Sequence, residues 1–145
     1  CFTRPDGVTV TASDAFAQSF SETVRQLKAL GVTVWVLKQV PPQLIHVPSA
    51  LAKAEYLGHD PEKLKRPLDS ILERRRFIDD VFAKESGVFF IDPATTFCTP
   101  QSGCKIAAAA HSLYSDNSHL SGFGALWSNN MLNPFFAFLR RQEDQ

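Results

Sequence analysis

A chain of 145 residues is long enough for one domain and can bury roughly two-thirds of the surface its unfolded form exposes. Hydrophobic residues make up 44% and charged residues 21%, which is globular composition and excludes disorder. Lysine plus arginine number 15 and aspartate plus glutamate 15, so the electrostatic footprint of a nucleic-acid binder is missing.

The opening, "CFTRPDGVTVTAS", alternates weakly in polarity and holds a Pro-Asp-Gly turn signal. From Ser13 to Gly31 the pattern is helical. Ser13 is the expected cap, Asp14 suits the positive end of the helix dipole, and Gly31 suits a left-handed C-terminal cap. Phe16, Phe20, Val24, Leu27 and Leu30 recur at helical spacing and should form one buried stripe. Val32 to Val40 is β-branched, apolar on both faces and stopped by Pro41-Pro42, which predicts a strand covered on both sides in a parallel sheet.

A long connection follows, with a short helix expected over Ser49 to Tyr56. Pro67 opens a second long helix, Leu68 to Glu85, whose stripe is Leu68, Ile71, Leu72, Ile78, Val81 and Phe82. Val88 to Asp92 reads as a second apolar strand. The order helix, strand, helix, strand implies a three-layer α/β/α fold with a mainly parallel sheet. Two such strands are too few for a sheet, so its others are expected before Cys1. The single methionine, Met131, agrees with a processed chain or a piece of a longer one, in which any targeting or membrane segment would precede Cys1. No apolar run reaches the about 20 residues that cross a bilayer.

Cys98 and Cys104 are separated by Thr-Pro-Gln-Ser-Gly, which suits a small disulfide loop and matches no zinc spacing. Such a bridge would add roughly 2 kcal/mol and imply an oxidising compartment; the other reading is two buried thiols in a reducing one. A short hairpin is expected through "KIAAAAHSLYSD", then a final helix from Ser121 that Asn133-Pro134 should break or kink before an aromatic tail.

The stretch "YSDNSHLSGFGALW" sets Asp116 and His119 at Asp-x-x-His spacing before a helix. Histidine is the commonest general base, and a carboxylate on its far ring nitrogen fixes the tautomer and stabilises the imidazolium. The structural reading of the same pair is a histidine at a helix entry, with Asp116 closing an Asx-turn. His111 with Asp116 matches no familiar metal spacing. His46 and His59 carry no assigned role. The positive cluster "KLKRPLDSILERRRF" reads first as a solvated helix face and second as a contact for anionic glycan or headgroups. Asp92 before Pro93 suits turn initiation or a ligand-facing carboxylate, and Trp127, Phe135, Phe136 and Phe138 suit core packing or a sugar platform.

"LYSDNSHLSGFGA" resembles the last motif block of the SGNH/GDSL hydrolase superfamily, in particular the SGNH domain fused to membrane acyltransferase-3 proteins. Asp116, His119, Leu120, Ser121, Gly124 and Ala125 fall in register with that block. "LKALGVTVWVLKQVPP" and "VFFIDPATTFC" followed by "GCK" are similar to its strand-to-proline and Ile-Asp-Pro-cysteine segments, so the resemblance spans Ser13 to about Leu132. It implies His119 as general base, Asp116 as its orienting partner, and a nucleophilic serine in a Gly-Asp-Ser motif that these 145 residues do not contain. The expectation is therefore the C-terminal part of one SGNH domain, residues 1–145, whose nucleophile lies upstream. Further implied are acyl transfer to an envelope polysaccharide or glycan without a cofactor or metal, an acyl donor delivered by a membrane acyltransferase domain, a carbohydrate acceptor and no nucleic acid. The location implied is periplasmic, tethered to the inner membrane. Rival expectations are a secreted carbohydrate esterase and a glycan-binding module that has lost catalysis.

Overall fold

The computed structural model describes residues 2, 3, 7 and 9–143 of the chain. Two compact units partition it: residues 1–36 with 74–89, and residues 37–73 with 90–145.

In the first unit, β1 (Phe2–Thr3) and β2 (Thr9–Val10) pair antiparallel with Phe2 opposite Val10. Gly7 has φ +83°, as the turn signal expects, while Pro5 and Asp6 lie outside the described residues. Helix α1 runs Ala12–Ala29 and its cap is Thr11, not Ser13: Thr11 Oγ1 accepts the Asp14 N–H at 3.1 Å. Ser13 instead sits in the first turn, because an extended Thr11 already fills the capping position. At the other end Gly31, at φ +76°, lets its own N–H and that of Val32 return to the carbonyls of Lys28 and Leu27. The expected stripe is buried only at its centre. Val24 is buried, Phe20 and Leu27 are half-buried, and Phe16 and Leu30 at the ends are exposed. Phe16 still packs beside Phe20 and edge-on to Phe77, with centroids 6.0 and 6.3 Å away.

The second unit carries the larger core. Helix α2 (Val47–Leu57) includes the expected short helix and ends on left-handed Gly58. A 3-10 turn follows at Pro61–Leu64, capped by Asp60. Val47, Ile71, Phe97, Ile106, Leu113 and Tyr114 form the centre of a buried cluster, with Cys98 and Cys104 among them. The short helix α4 (Ala94–Phe97) leads into β5 (Cys98–Thr99), which pairs antiparallel with β6 (Gly103–Cys104). Strands β7 (Ala107–Ala108) and β8 (His111–Ser112) make the expected hairpin. Its two turn residues, Ala109 and Ala110, both have positive φ, where asparagine and glycine are the usual occupants. Helix α5 (Gly122–Trp127) is capped by Ser121 as expected. It ends at Ser128, before Asn133-Pro134, and a 3-10 turn (Asn129–Leu132) separates it from α6 (Asn133–Glu143). Pro134 thus opens a helix instead of breaking one, since a first-turn proline has no intrahelical N–H to lose.

The two apolar runs form strands shorter than expected: β3 spans Val34–Leu37 and β4 spans Val88–Ile91, and they pair with each other. Val32, Leu37 and Phe89 are exposed, so neither run is covered on both faces among the described residues. An apolar sequence marks a strand that can be buried; it does not supply the layer that buries it. Helix α3 covers Leu68–Phe82, three residues short of the expected end; Ile71, Val81 and Phe82 are buried and Leu72 is exposed. Among the described residues helix and strand are mixed, as in an α/β chain, with the strands in four two-stranded sheets.

Candidate active site

Asp116 and His119 occupy a tight loop between β8 and α5, and several hydrogen bonds close that loop. Tyr114 and Leu120 form an isolated antiparallel bridge at its base. The Ser115 N–H donates to the His119 carbonyl at 2.9 Å. Two outside ties come from the segment before and at the start of α2: the Gln43 N–H donates to the Asn117 carbonyl at 2.7 Å and the Val47 N–H to the Asp116 carbonyl at 3.2 Å. Beyond His119, Ser121 Oγ donates to the Ser112 carbonyl at 2.7 Å and accepts the Gly124 N–H at 2.9 Å, fixing the helix start against β8. Gly124 is required by contact, since a Cβ there would lie 1.9 Å from the Leu113 carbonyl oxygen.

Within this frame Asp116 divides its two oxygens. Oδ1 accepts the N–H groups of Ser118 and His119, each at 2.7 Å, and Oδ2 meets His119 Nδ1 at 2.6 Å. The Asx-turn and the imidazole partner, rival readings of the sequence, are thus made at once by one carboxylate. The Ser118 amide, then the His119 amide, then the imidazole hold the Asp116 carboxyl well below the usual carboxylate range. An ionised carboxylate on Nδ1 selects the Nδ1–H tautomer and turns the Nε2 lone pair outward. The His119 side chain is 78% exposed and Asp116 37%, so Nε2 is open to an incoming group.

Beneath the loop lies Tyr114, fully buried, with its ring 5.9 Å from that of Phe97. Its hydroxyl donates to the Pro41 carbonyl at 2.9 Å, and burial pushes its pKa up to about 12. Pro41 was expected only to stop a strand, and Gln43 and Tyr114 carried no expected role. The available signal was weak: a tyrosine after a leucine, whose hydroxyl must find a partner once buried.

The expected disulfide is present: Cys98 and Cys104 are bonded across the β5–β6 pair, S–S 2.06 Å. Arg66 ties this hairpin to the segment before α2. Its carbonyl accepts the Cys104 N–H at 2.8 Å, and its Nη1 donates to the Pro42 carbonyl at 3.0 Å. Arg66 is therefore buried, and Lys65 pairs with Glu62 and Arg75 with Asp79, so the basic cluster is not one uniformly solvated face.

Other singled-out residues have local partners. His111 Nδ1 lies 2.7 Å from the Ala109 carbonyl and its ring stacks on Phe123; His46 Nδ1 lies 2.9 Å from Ser49 Oγ. No cluster of three or more metal-ligating side chains occurs among the described residues. Asp92 accepts the Ala94 N–H at 2.9 Å, which starts α4, and sits 3.8 Å from Lys38 Nζ. Trp127 packs edge-on to Phe97, with ring centroids 5.3 Å apart. A cavity of about 480 Å³ lies between α2, the Pro61–Leu64 turn and the β7–β8 hairpin; neither Asp116 nor His119 lines it.

Among the described residues no helix is long and apolar enough to cross a membrane. No curated protein and no solved structure matches the chain. A family model does match, over residues 2–134, and its description is "SGNH domain (fused to AT3 domains)". With that match over nearly its whole length, the chain belongs to the SGNH domain family of the AT3-fused type, a domain of the hydrolase and acyltransferase kind.

Proposed function

We propose that this chain supplies the base half of a serine acyl-transfer site, with His119 as general base and Asp116 as its orienting carboxylate. The observation that supports it is the 2.6 Å contact from Asp116 Oδ2 to His119 Nδ1 with the opposite edge of the ring exposed. In this mechanism a serine hydroxyl gives its proton to His119 Nε2 as its oxygen attacks an acyl carbonyl. The leaving group departs with that proton, and an acyl-serine remains. His119 then takes the proton of an acceptor hydroxyl, which attacks the acyl-serine and regenerates the serine. Asp116 keeps the ring in one tautomer and offsets the positive charge it gains in each half.

None of the serines in the 145 residues stands in a Gly-Asp-Ser context, and the proposed nucleophile lies in a segment outside them. Residues 1–145 are then the C-terminal part of one SGNH domain, and β3 and β4 belong to a mainly parallel three-layer sheet completed by that segment. The acyl group is taken to be acetyl and the acceptor an envelope polysaccharide or glycan. The donor is taken to be delivered by a membrane acyltransferase domain, a reading supported by the fusion to AT3 domains in the family's description. The Cys98–Cys104 bridge supports a periplasmic site, since such bonds persist in oxidising compartments.

The test is His119→Ala in the full-length protein, with acetyl transfer and acetyl-ester hydrolysis both measured. Turnover should fall by about a hundredfold to ten-thousandfold with the fold retained. Retention of most activity would remove His119 from the mechanism. Release of free acetate in place of a glycan product would assign an esterase.

A further inference from the structure

We propose that Gln43 is a positioning residue for His119, acting through a strap, Pro41 to Gln43, that its side-chain amide holds against Tyr114. Gln43 lies far from the Asp-x-x-His stretch in sequence, yet its backbone N–H donates to the carbonyl of Asn117, between Asp116 and His119. The residue is 4% exposed. Its Nε2 donates to the Pro41 carbonyl at 2.9 Å and approaches the Tyr114 hydroxyl at 3.4 Å, while that hydroxyl donates to the same Pro41 carbonyl. Pro41 and Pro42 have no N–H to join a ladder, so side chains fix that part of the strap: the Gln43 amide and the Tyr114 hydroxyl at the Pro41 carbonyl, and Arg66 Nη1 at the Pro42 carbonyl.

The oxygen end of the amide separates a positioning role from a packing role. Gln43 Oε1 is buried and meets no donor among the described residues. Turning the amide over would bring Oε1 to 3.4 Å from the Tyr114 hydroxyl, but it would also set it against the Pro41 carbonyl oxygen, acceptor to acceptor, and remove that carbonyl's amide donor. A buried acceptor without a donor costs stability, and an apolar side chain of the same shape avoids that cost. Glutamine is thus the poorer choice for stability. What it provides is a donor that locks the strap, and with it the backbone N–H that holds Asn117.

The effect on turnover rests on His119 being the base, whereas the effect on its tautomer does not, so the two fail separately. Gln43→Leu and Gln43→Met both remove the amide, and the methionine keeps the shape. Both should melt at or above the wild-type temperature. In two-bond proton–nitrogen correlation spectra of the full chain, the Nδ1–H share of neutral His119 should fall to about half or less of its wild-type value. Turnover of the full-length protein should fall about tenfold or more, as misplaced catalytic groups do. An unchanged tautomer in both variants overturns the proposal. So does a wild-type tautomer in Gln43→Met alone, which would assign the effect to shape, or a large loss of melting temperature in both, which would make Gln43 a structural residue. A changed tautomer with unchanged turnover supports the positioning and contradicts His119 as base.

Discussion

At the scale of single residues, Asp116 shows why a short motif is hard to weigh from sequence. Its carboxylate both closes an Asx-turn and orients an imidazole, using one oxygen for each task. The turn makes the orientation possible: two backbone N–H groups, those of Ser118 and His119 itself, pin the carboxylate beside the imidazole. Gly124 is the other residue on which the loop depends. Because a Cβ there would sit 1.9 Å from backbone oxygen, nothing flexible can yield. Gly124→Ala should destabilise the chain by about 3 kcal/mol in urea unfolding. Gly122→Ala, which meets nothing within 4 Å, is the control and should be neutral or slightly stabilising. Equal stability of the two variants would contradict the packing described for α5.

At the scale of elements, an exposed loop is held rigid from below. Strand β8, the N-terminus of α5, the start of α2 and the strap before it each contribute a hydrogen bond, and Tyr114 fills the space beneath. The buried phenol gives this arrangement a pH signature. Its raised pKa means the folded state keeps the proton longer than the unfolded one. That contribution to stability is therefore complete below about pH 10 and lost as pH rises through about 12. Up to about 2 kcal/mol should disappear across that interval, and Tyr114→Phe should remove this share of the slope. An identical alkaline slope in the two proteins, measured by urea midpoints, would show that the Tyr114 hydroxyl is not buried as described.

At the scale of the whole molecule, what could be read in advance was what is local in sequence. The periodicity of α1 and α3, the Ser121 cap, the hairpin around Ala109-Ala110 and the cysteine pair all depend on neighbours along the chain. The Asp116–His119 pair belongs with them, since three residues and a turn suffice to build it. Contacts that join distant segments were not readable. Gln43 reaching Asn117, Arg66 reaching Pro42 and Tyr114 reaching Pro41 leave no periodic trace, because a buried polar side chain looks like any other until its partner is known. The covering of β3 and β4 was misjudged for a related reason: their apolar residues record what these strands can bury against, whether or not that surface lies within the described residues. The match to the SGNH domain family over residues 2–134 gives both the loop and the strands a common setting.

If Asp116 and His119 activate a serine lying elsewhere in the protein, labelling of full-length native protein with a fluorophosphonate, with the adduct mapped by mass spectrometry, will find that serine. One modified serine is expected, outside residues 1–145, whose labelling is lost in His119→Ala, with no adduct on the 145-residue chain alone. Absence of any adduct on folded full-length protein, or labelling that survives His119→Ala, would contradict that activation and leave Asp116 and His119 as a helix-entry turn.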